Sequence, residues 1–414
     1  MTLPEPTTLV QIVAGQLLGT PSDITGVSID SRRSGPGDIF FALRGRHVDG
    51  HHFVGAALES GASIAVVERG FADQSDLRPL IAVDSPLEAL QRLAAWYRQN
   101  MLDKVVAITG SNGKTIVKDA LTAMLAGHIE VASSPGSFNS QIGVPLSILS
   151  ARAHTPLCVF EVGISAPGEM EVMEELVAPN YGILTNIGLA HIGSFGTRQS
   201  TAAEKFKLFR TLGSDGWVLL PQGNSIIDEY SQTIPNDVTR HFIGQRGLPR
   251  IAHRFETSEE TALTVSFPSG TSYTFSVKTR SPELIEDLHI ALCAAHLLGV
   301  PGKDIAATLE GYSYGSTRME IWRSPQGVTI INDACSADPM SVAAALSAEA
   351  ASNDGNGRRI FLFGGMGELG EREDHEHSVI GTLAAKQGIT HLALLDSPPL
   401  GHTAEAFLAE NPSA

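Results

Sequence analysis

Short apolar runs alternate with stretches of helical spacing along the whole chain. Up to about residue 100 the runs 26–29, 38–42, 63–67 and 80–83 read as strands, with helices at 53–60 and 86–99 between and after them. A second block reaches to about residue 316. Its runs 105–108, 157–161 and 181–186 have the continuous apolar character of buried strands. A polar, strand-rich stretch at 239–279 precedes an alanine-rich helix at 284–298. The third block begins near Thr317. It alternates strand 328–333, helix 341–351, strand 358–364 and strand 391–395, with an Asn- and Gly-rich flexible turn at 351–359. Strand–helix alternation of this kind predicts an α/β protein with doubly wound parallel sheets. The divisions are 1–100, 101–316 and 317–414. No internal repeat breaks the pattern.

One strand leads into chemistry. The run 105–108 passes through Thr109-Gly-Ser-Asn-Gly-Lys-Thr115 into a helix that opens at about Lys114. Glycines in such a turn let the backbone come close to a ligand and point successive amides at it, and the helix N-terminus adds a field that favours anions. Lys114 can reach terminal phosphates, and the Thr115 hydroxyl can hold magnesium. The pattern is GxxGKT, with Ile108 where the full phosphate-loop motif has a glycine. Residues Gly110, Ser111, Asn112, Gly113, Lys114 and Thr115 are therefore expected to bind ATP or GTP.

Composition narrows the setting. A chain of 414 residues suggests two to four domains, and 43% hydrophobic residues can fill substantial cores. A net charge of −16 argues against a nucleic-acid surface. Cys158, Cys293 and Cys335 lie too far apart in sequence to suggest a disulfide framework or a metal cluster, which fits a reducing cytoplasm. The N-terminus lacks a basic region before its apolar residues, and no apolar run is long enough to span a bilayer. The expectation is a cytoplasmic protein, not inserted in a membrane and monomeric.

Further motifs follow one another in a fixed order. They are Val27-Ser-Ile-Asp-Ser-Arg32, Gly37-Asp-Ile-Phe-Phe-Ala-Leu43, Asp49-Gly-His-His-Phe53 and Ser137-Phe-Asn-Ser-Gln-Ile-Gly-Val-Pro145. Next come Phe160-Glu-Val-Gly-Ile-Ser-Ala-Pro-Gly-Glu169, Thr185-Asn-Ile-Gly-Leu-Ala-His191, Asn332-Asp-Ala-Cys-Ser-Ala-Asp-Pro339 and Gly365-Met-Gly-Glu-Leu-Gly370. Together with the phosphate loop, this set resembles the Mur ligases, the ATP-dependent amide-bond-forming enzymes of peptidoglycan precursor synthesis. The resemblance implies a three-domain architecture: a domain for the uridine nucleotide, a central phosphate-loop ATPase domain and a shortened Rossmann-like C-terminal domain. Within the family the motifs point to the ligase that adds D-alanyl-D-alanine to UDP-N-acetylmuramoyl-tripeptide.

The resemblance also implies roles. ATP and Mg2+ would be required. Lys114, Glu161, His191 and Lys205 would serve catalysis, and Thr115, Glu161, His191 and Lys205 would hold magnesium, Lys205 as a carbamate. Lys207 competes for the Lys205 role, but the Lys-x-x-Leu-Phe spacing favours Lys205. Asn139 and Ser140 would lie near the γ-phosphate or the peptide. Arg318 and Asp333 would meet the nucleotide from the third block. Ser28, Asp30, Ser31 and Arg32 would contact the uridine and diphosphate. His377 matches a family histidine, and Lys118 is read as a surface charge.

Several positions depart from the family pattern. Gly193 stands where a glutamate is expected, Cys335 and Ser336 where Tyr and Asn are, and Ile290 where an adenine-contacting asparagine is. The segment Leu220-Pro-Gln-Gly223 lacks the usual Asn-Ala-Asp. These changes leave two other readings open: a relative recruited to another pathway, and a catalytically silent nucleotide-binding protein.

Overall fold

The computed structural model describes residues 2–411, apart from 46, 256, 258–259, 316 and 353–356. The central part of the expected 351–359 turn thus lies outside the described residues. The chain forms two compact units: residues 1–107, 129–164 and 169–181, and residues 108–128, 165–168 and 182–414.

The first unit contains a five-stranded sheet in the order Gln16–Leu18, Leu80–Val83, Ile64–Glu68, Asp38–Phe41, Gly26–Ser28. Only the Gln16–Leu18 pairing is antiparallel. That strand and the helix Pro6–Ile12 before it give no clear sequence signal, because both are short. The inner strands are apolar at successive positions, as a sheet covered on both faces requires. The helix Pro86–Met101 starts cleanly: Ser85 Oγ accepts from Glu88 N, and Pro86 occupies the first turn. It buries Leu90, Leu93, Ala94 and Tyr97, and the Tyr97 hydroxyl donates to Ala151 O at 2.9 Å.

Arg98, near the end of that helix, is buried. Its guanidinium donates to Val177 O, Leu102 O, Ala178 O and Asn180 Oδ1, at 2.7–3.0 Å. Asn180 Oδ1 also accepts from Val105 N, within the strand Leu102–Thr109 that runs to the phosphate loop. One planar cation thereby ties a helix to a loop and a strand.

The strand Leu102–Thr109 runs from the first unit into the second. It belongs to a six-stranded sheet in the order Thr239–Phe242, Trp217–Leu220, Tyr181–Leu184, Leu102–Thr109, Thr155–Glu161, Val131–Ser133. Both outer pairs run parallel. In the second unit the strand-rich stretch resolves into Thr239–Phe242 on this sheet and a separate antiparallel sheet, Arg250–Phe255, Thr261–Ser266 and Ser272–Val277. The helix Pro282–Leu297 packs on the helix Lys114–Leu125 that follows the phosphate loop.

The third block departs in part from the expected alternation. Thr329–Asn332 pairs antiparallel with Glu320–Arg323, a strand the apolar pattern does not announce, and forms a hairpin. The strands Ile360–Phe363 and His391–Leu394 pair parallel. The helices Pro339–Ser352, Glu373–Lys386 and Pro398–Glu410 supply the core around Phe363, Ile380, Leu400 and Phe407.

Replacing Arg98 by alanine would strand several buried acceptors at once. R98A should cost about 3 kcal/mol of stability. Urea unfolding of R98A beside R92A, at an exposed ion pair with Glu88, is the check; a loss no larger than that of R92A would refute this account.

Candidate functional site

The phosphate loop is held by the segment after the strand Tyr181–Leu184. Ser111 N donates to Asn186 O at 3.1 Å, and Asn112 N donates to Asn186 Oδ1 at 3.0 Å. The Thr185 hydroxyl donates to Asn112 O. Gly188 N donates to Ser111 Oγ at 2.8 Å. Thr185 and Asn186 thus act as a brace for the loop, not as ligands.

Gly113 caps the helix Lys114–Leu125 with φ +79°. A Cβ there would lie 2.1 Å from Asp287 Oδ1, so both its backbone angle and its surroundings demand glycine. The first turn of this twelve-residue helix offers its amides without a side-chain cap. The cradle fits a phosphate chain.

Two lysines meet at this loop. Lys114 Nζ donates to Gly110 O at 2.8 Å and Ser111 O at 3.0 Å. Lys205 Nζ donates to the same Gly110 O at 3.0 Å. Lys205 lies on the helix Arg198–Phe206, capped by Thr197, and is 2% exposed. Burial, with the neighbouring Lys114 charge adding to it, drives its amine well below the usual lysine range. Lys207 instead pairs with Glu204 at 2.8 Å.

The third block also reaches the loop. Arg318 Nη2 donates to Thr115 Oγ1 at 2.9 Å. Asp333 Oδ1 accepts from Met319 N at 3.1 Å, and burial raises its carboxyl. Asp338 Oδ1 accepts from Asn112 Nδ2 at 3.2 Å and from Met340 N at 2.9 Å, so it caps the helix Pro339–Ser352 while touching the phosphate loop. The Asp-Pro pair before a helical run is a start signal visible in sequence. Asp287 carries no such signal; only the packing of two helices sets it against Gly113. Burial, reinforced by Glu286, pushes its carboxyl up to about 8, with Arg318 opposing.

In the first unit, Glu161 ends the strand Thr155–Glu161 and is fully buried. Its Oε2 accepts from Asn139 Nδ2 at 3.2 Å, and its amide donates to Ser134 Oγ at 3.1 Å. Ser140 Oγ accepts from Gly143 N at 3.2 Å. Ser28, Asp30, Ser31 and Arg32 form a separate surface turn. Ser28 Oγ donates to Asp30 O, and Arg32 grips the Asp30 carboxylate with Nε and Nη2 at 2.9 and 2.8 Å. That grip lowers the Asp30 carboxyl to about 2.

Three residues differ from the sequence reading or add to it. Lys118 is not a surface charge: it is 1% exposed, with Nζ 3.0 Å from Asp119 Oδ1. The helices Pro282–Leu297 and Gly302–Leu309 both pack on its helix and leave little of it to solvent. His377 is an internal brace, 1% exposed, whose Nε2 accepts from Met366 N at 3.1 Å while Nδ1 faces Glu373 O at 2.8 Å. His191 caps a short helix at φ +58° and meets the Glu368 carboxylate through Nδ1.

Among the described residues, no three or more His, Cys, Asp or Glu side chains gather as a metal cluster. The cysteines are free, and burial raises Cys158 and Cys293 to about 12. No described helix is long and apolar enough to cross a membrane.

Family models match the chain along most of its length: Mur ligase family, catalytic domain, at 23–98; Mur ligase middle domain at 108–295; and Mur ligase, glutamate ligase domain, at 317–412. The chain belongs to the Mur ligase family. It is 30% identical to the UDP-N-acetylmuramoyl-tripeptide--D-alanyl-D-alanine ligase of Bacillus subtilis, over 92% of this chain and 82% of that one. The Escherichia coli ligase of the same name is 29% identical over 92% and 83%. Among solved Mur ligases, MurF from Acinetobacter baumannii superposes with a TM-score of 0.86 at 27% identity, over 97% of this chain and 87% of that one. MurF of Thermotoga maritima, solved with ADP, shares the fold with a TM-score of 0.77 at 24% identity.

The Asp287 carboxyl makes a stability prediction. Its folded value of about 8 lies above the ordinary 3.8. Between those values the unfolded chain releases the proton and the folded chain keeps it. Stability is therefore lost as pH rises from about 4 to about 8. D287N should remove this loss and gain as much as about 5 kcal/mol over the wild type at pH 8, but nothing at pH 4. Paired denaturation curves at the two pH values test this; an equal difference at both would refute it.

Proposed function

We propose that the chain is the ATP-dependent ligase that joins D-alanyl-D-alanine to UDP-N-acetylmuramoyl-tripeptide, with release of ADP and phosphate. The observation that carries this reading is the convergence of Lys114, Lys205 and Arg318 on one phosphate loop. The named ligases from B. subtilis and E. coli supply the substrates by analogy.

In this reading the tripeptide carboxylate attacks the γ-phosphorus of ATP, and ADP leaves. The amine of the dipeptide then attacks the acyl phosphate, forms the amide and expels phosphate. Lys114 and the backbone amides at the start of its helix neutralise charge on the phosphates. Arg318 and Asp333 meet the nucleotide from the third block. Asn139 and Ser140 orient the peptide terminus near Glu161. Ser28, Asp30, Ser31 and Arg32 take the uridine diphosphate, where Arg32 is the anion partner.

Thr115, Glu161, His191 and a carbamylated Lys205 would hold magnesium, a mainly oxygen donor set suited to that ion. When bound, magnesium would screen the phosphate charge and polarise the transferred group. Lys205 suits carbamylation because burial and the Lys114 charge lower its amine well below the usual lysine range: the lone pair of the deprotonated amine adds to the carbon of carbon dioxide and a proton departs. The product places an anion beside Lys114.

The test is phosphate release from ATP and magnesium with the tripeptide nucleotide, with and without D-alanyl-D-alanine, followed by product mass. Release that needs both substrates and yields the pentapeptide is expected. ATP binding without release would refute the substrate assignment and favour the recruited or silent relative. K114A should lower the rate at least about 100-fold; a variant that ligates at full rate would refute the mechanism.

A further inference from the structure

The segment Met366–Gly370 lies against the short helix Ile192–Phe195 at closer range than side chains permit. Gly193 N donates to Glu368 O at 2.8 Å. A Cβ on Gly193 would stand 2.7 Å from Gly370 N and 2.8 Å from Glu368 O, both backbone atoms that cannot swing aside. Gly193 is not in the left-handed region, so space alone calls for glycine there. The same approach brings the Glu368 carboxylate into ion-pair range of His191 Nδ1, a buried atom with no hydrogen-bond partner among the described residues. His191 and Glu368 both hold left-handed backbone, at φ +58° and +62°, which non-glycine residues adopt only when their surroundings impose it. From behind, the buried His377 ring accepts from Met366 N and fixes the root of the segment.

A carboxylate on Nδ1 selects the tautomer of a histidine. With the proton on Nδ1, Nε2 keeps its lone pair and can serve as a ligand or acceptor. His191 is about one-third exposed and Glu368 more than half, so their pairing adds little stability. Its effect is orientation.

We propose that Glu368 is the positioning residue for His191, and that Gly193 is the notch that lets Glu368 reach it. The proposal rests on the reading of His191 as a group that faces the phosphates or their metal. The third block thereby prepares a residue of the central block for its role. The missing side chain at 193, a departure from the family pattern, becomes the feature that makes the contact possible.

The first test needs neither metal nor nucleotide. Histidine 15N resonances of the full chain, at a pH where the ring is neutral and with His191 assigned by its loss in H191N, should show the Nδ1–H form. E368A and G193A should both move it toward the Nε2–H form. A wild-type ring already in the Nε2–H form, or a tautomer unchanged in both variants, overturns the proposal. In the ligation assay E368A and G193A should each lower kcat at least about tenfold with little change in the KM for ATP. E368Q, which keeps an acceptor oxygen, should recover part of the loss. If H191N is inactive while E368A and G193A keep full kcat, this proposal falls and the proposed reaction stands. If H191N ligates at the wild-type rate, the role given to His191 in that reaction falls, and the tautomer readout still decides the Glu368 contact.

Discussion

Two lysine amines donate to one carbonyl, that of Gly110, and one of them is buried. This is the constraint on which the site depends. Burial penalises a charge on Lys205, and the neighbouring Lys114 charge adds to the penalty, so its amine lies well below the usual lysine range. Lys114 sits at the more open helix start, and Lys205 is 2% exposed. An amine lowered in this way gives up its proton more readily than one in water. The loop thus holds two amines in unequal surroundings, one partly exposed and one buried.

The phosphate loop does not satisfy its own backbone groups, so its shape is imposed from outside. Here it is imposed from several directions. Thr185 and Asn186 hold the Ser111–Asn112 backbone. Asp287 fills the space beside Gly113 that a side chain would need. Asp338 and Arg318 bring the third block to Asn112 and Thr115. Each partner comes from a different element, which explains why the helix Pro282–Leu297 and the hairpin after Thr317 bear on a site distant from them in sequence.

The first unit shows the same economy on a smaller scale. Arg98 gathers acceptors from a helix end, a turn and a strand start, and Asn180 passes the constraint on to Val105. The strand Leu102–Thr109, which contains Val105, ends at the phosphate loop. At its far edge, Ser134 and Asn139 fix the backbone and carboxylate of Glu161. Polar side chains in this protein act chiefly as ties between backbone segments.

Sequence alone determined the α/β class, the main strands and the phosphate loop, because each is written in local pattern: apolar runs, glycine placement and a lysine–threonine pair at a helix start. The ordered motifs singled out Glu161, His191, Lys205 and Arg318 as candidates. What tertiary structure decided is which atoms meet. Lys118 looks like a solvated charge until two helices close over it. The strand Glu320–Arg323 exists through its partner Thr329–Asn332, not through its own polar and apolar order. His377 matched a family position, yet its rank as a brace comes from Met366 and Glu373. Asp287 is one acid in an alanine-rich helix until packing sets it against Gly113, and Gly193 is a missing side chain until Glu368 and Gly370 occupy its place. Spacing along a chain specifies elements because backbone geometry repeats locally. Burial, pairing and protonation depend on neighbours distant in sequence, and only the folded chain supplies them.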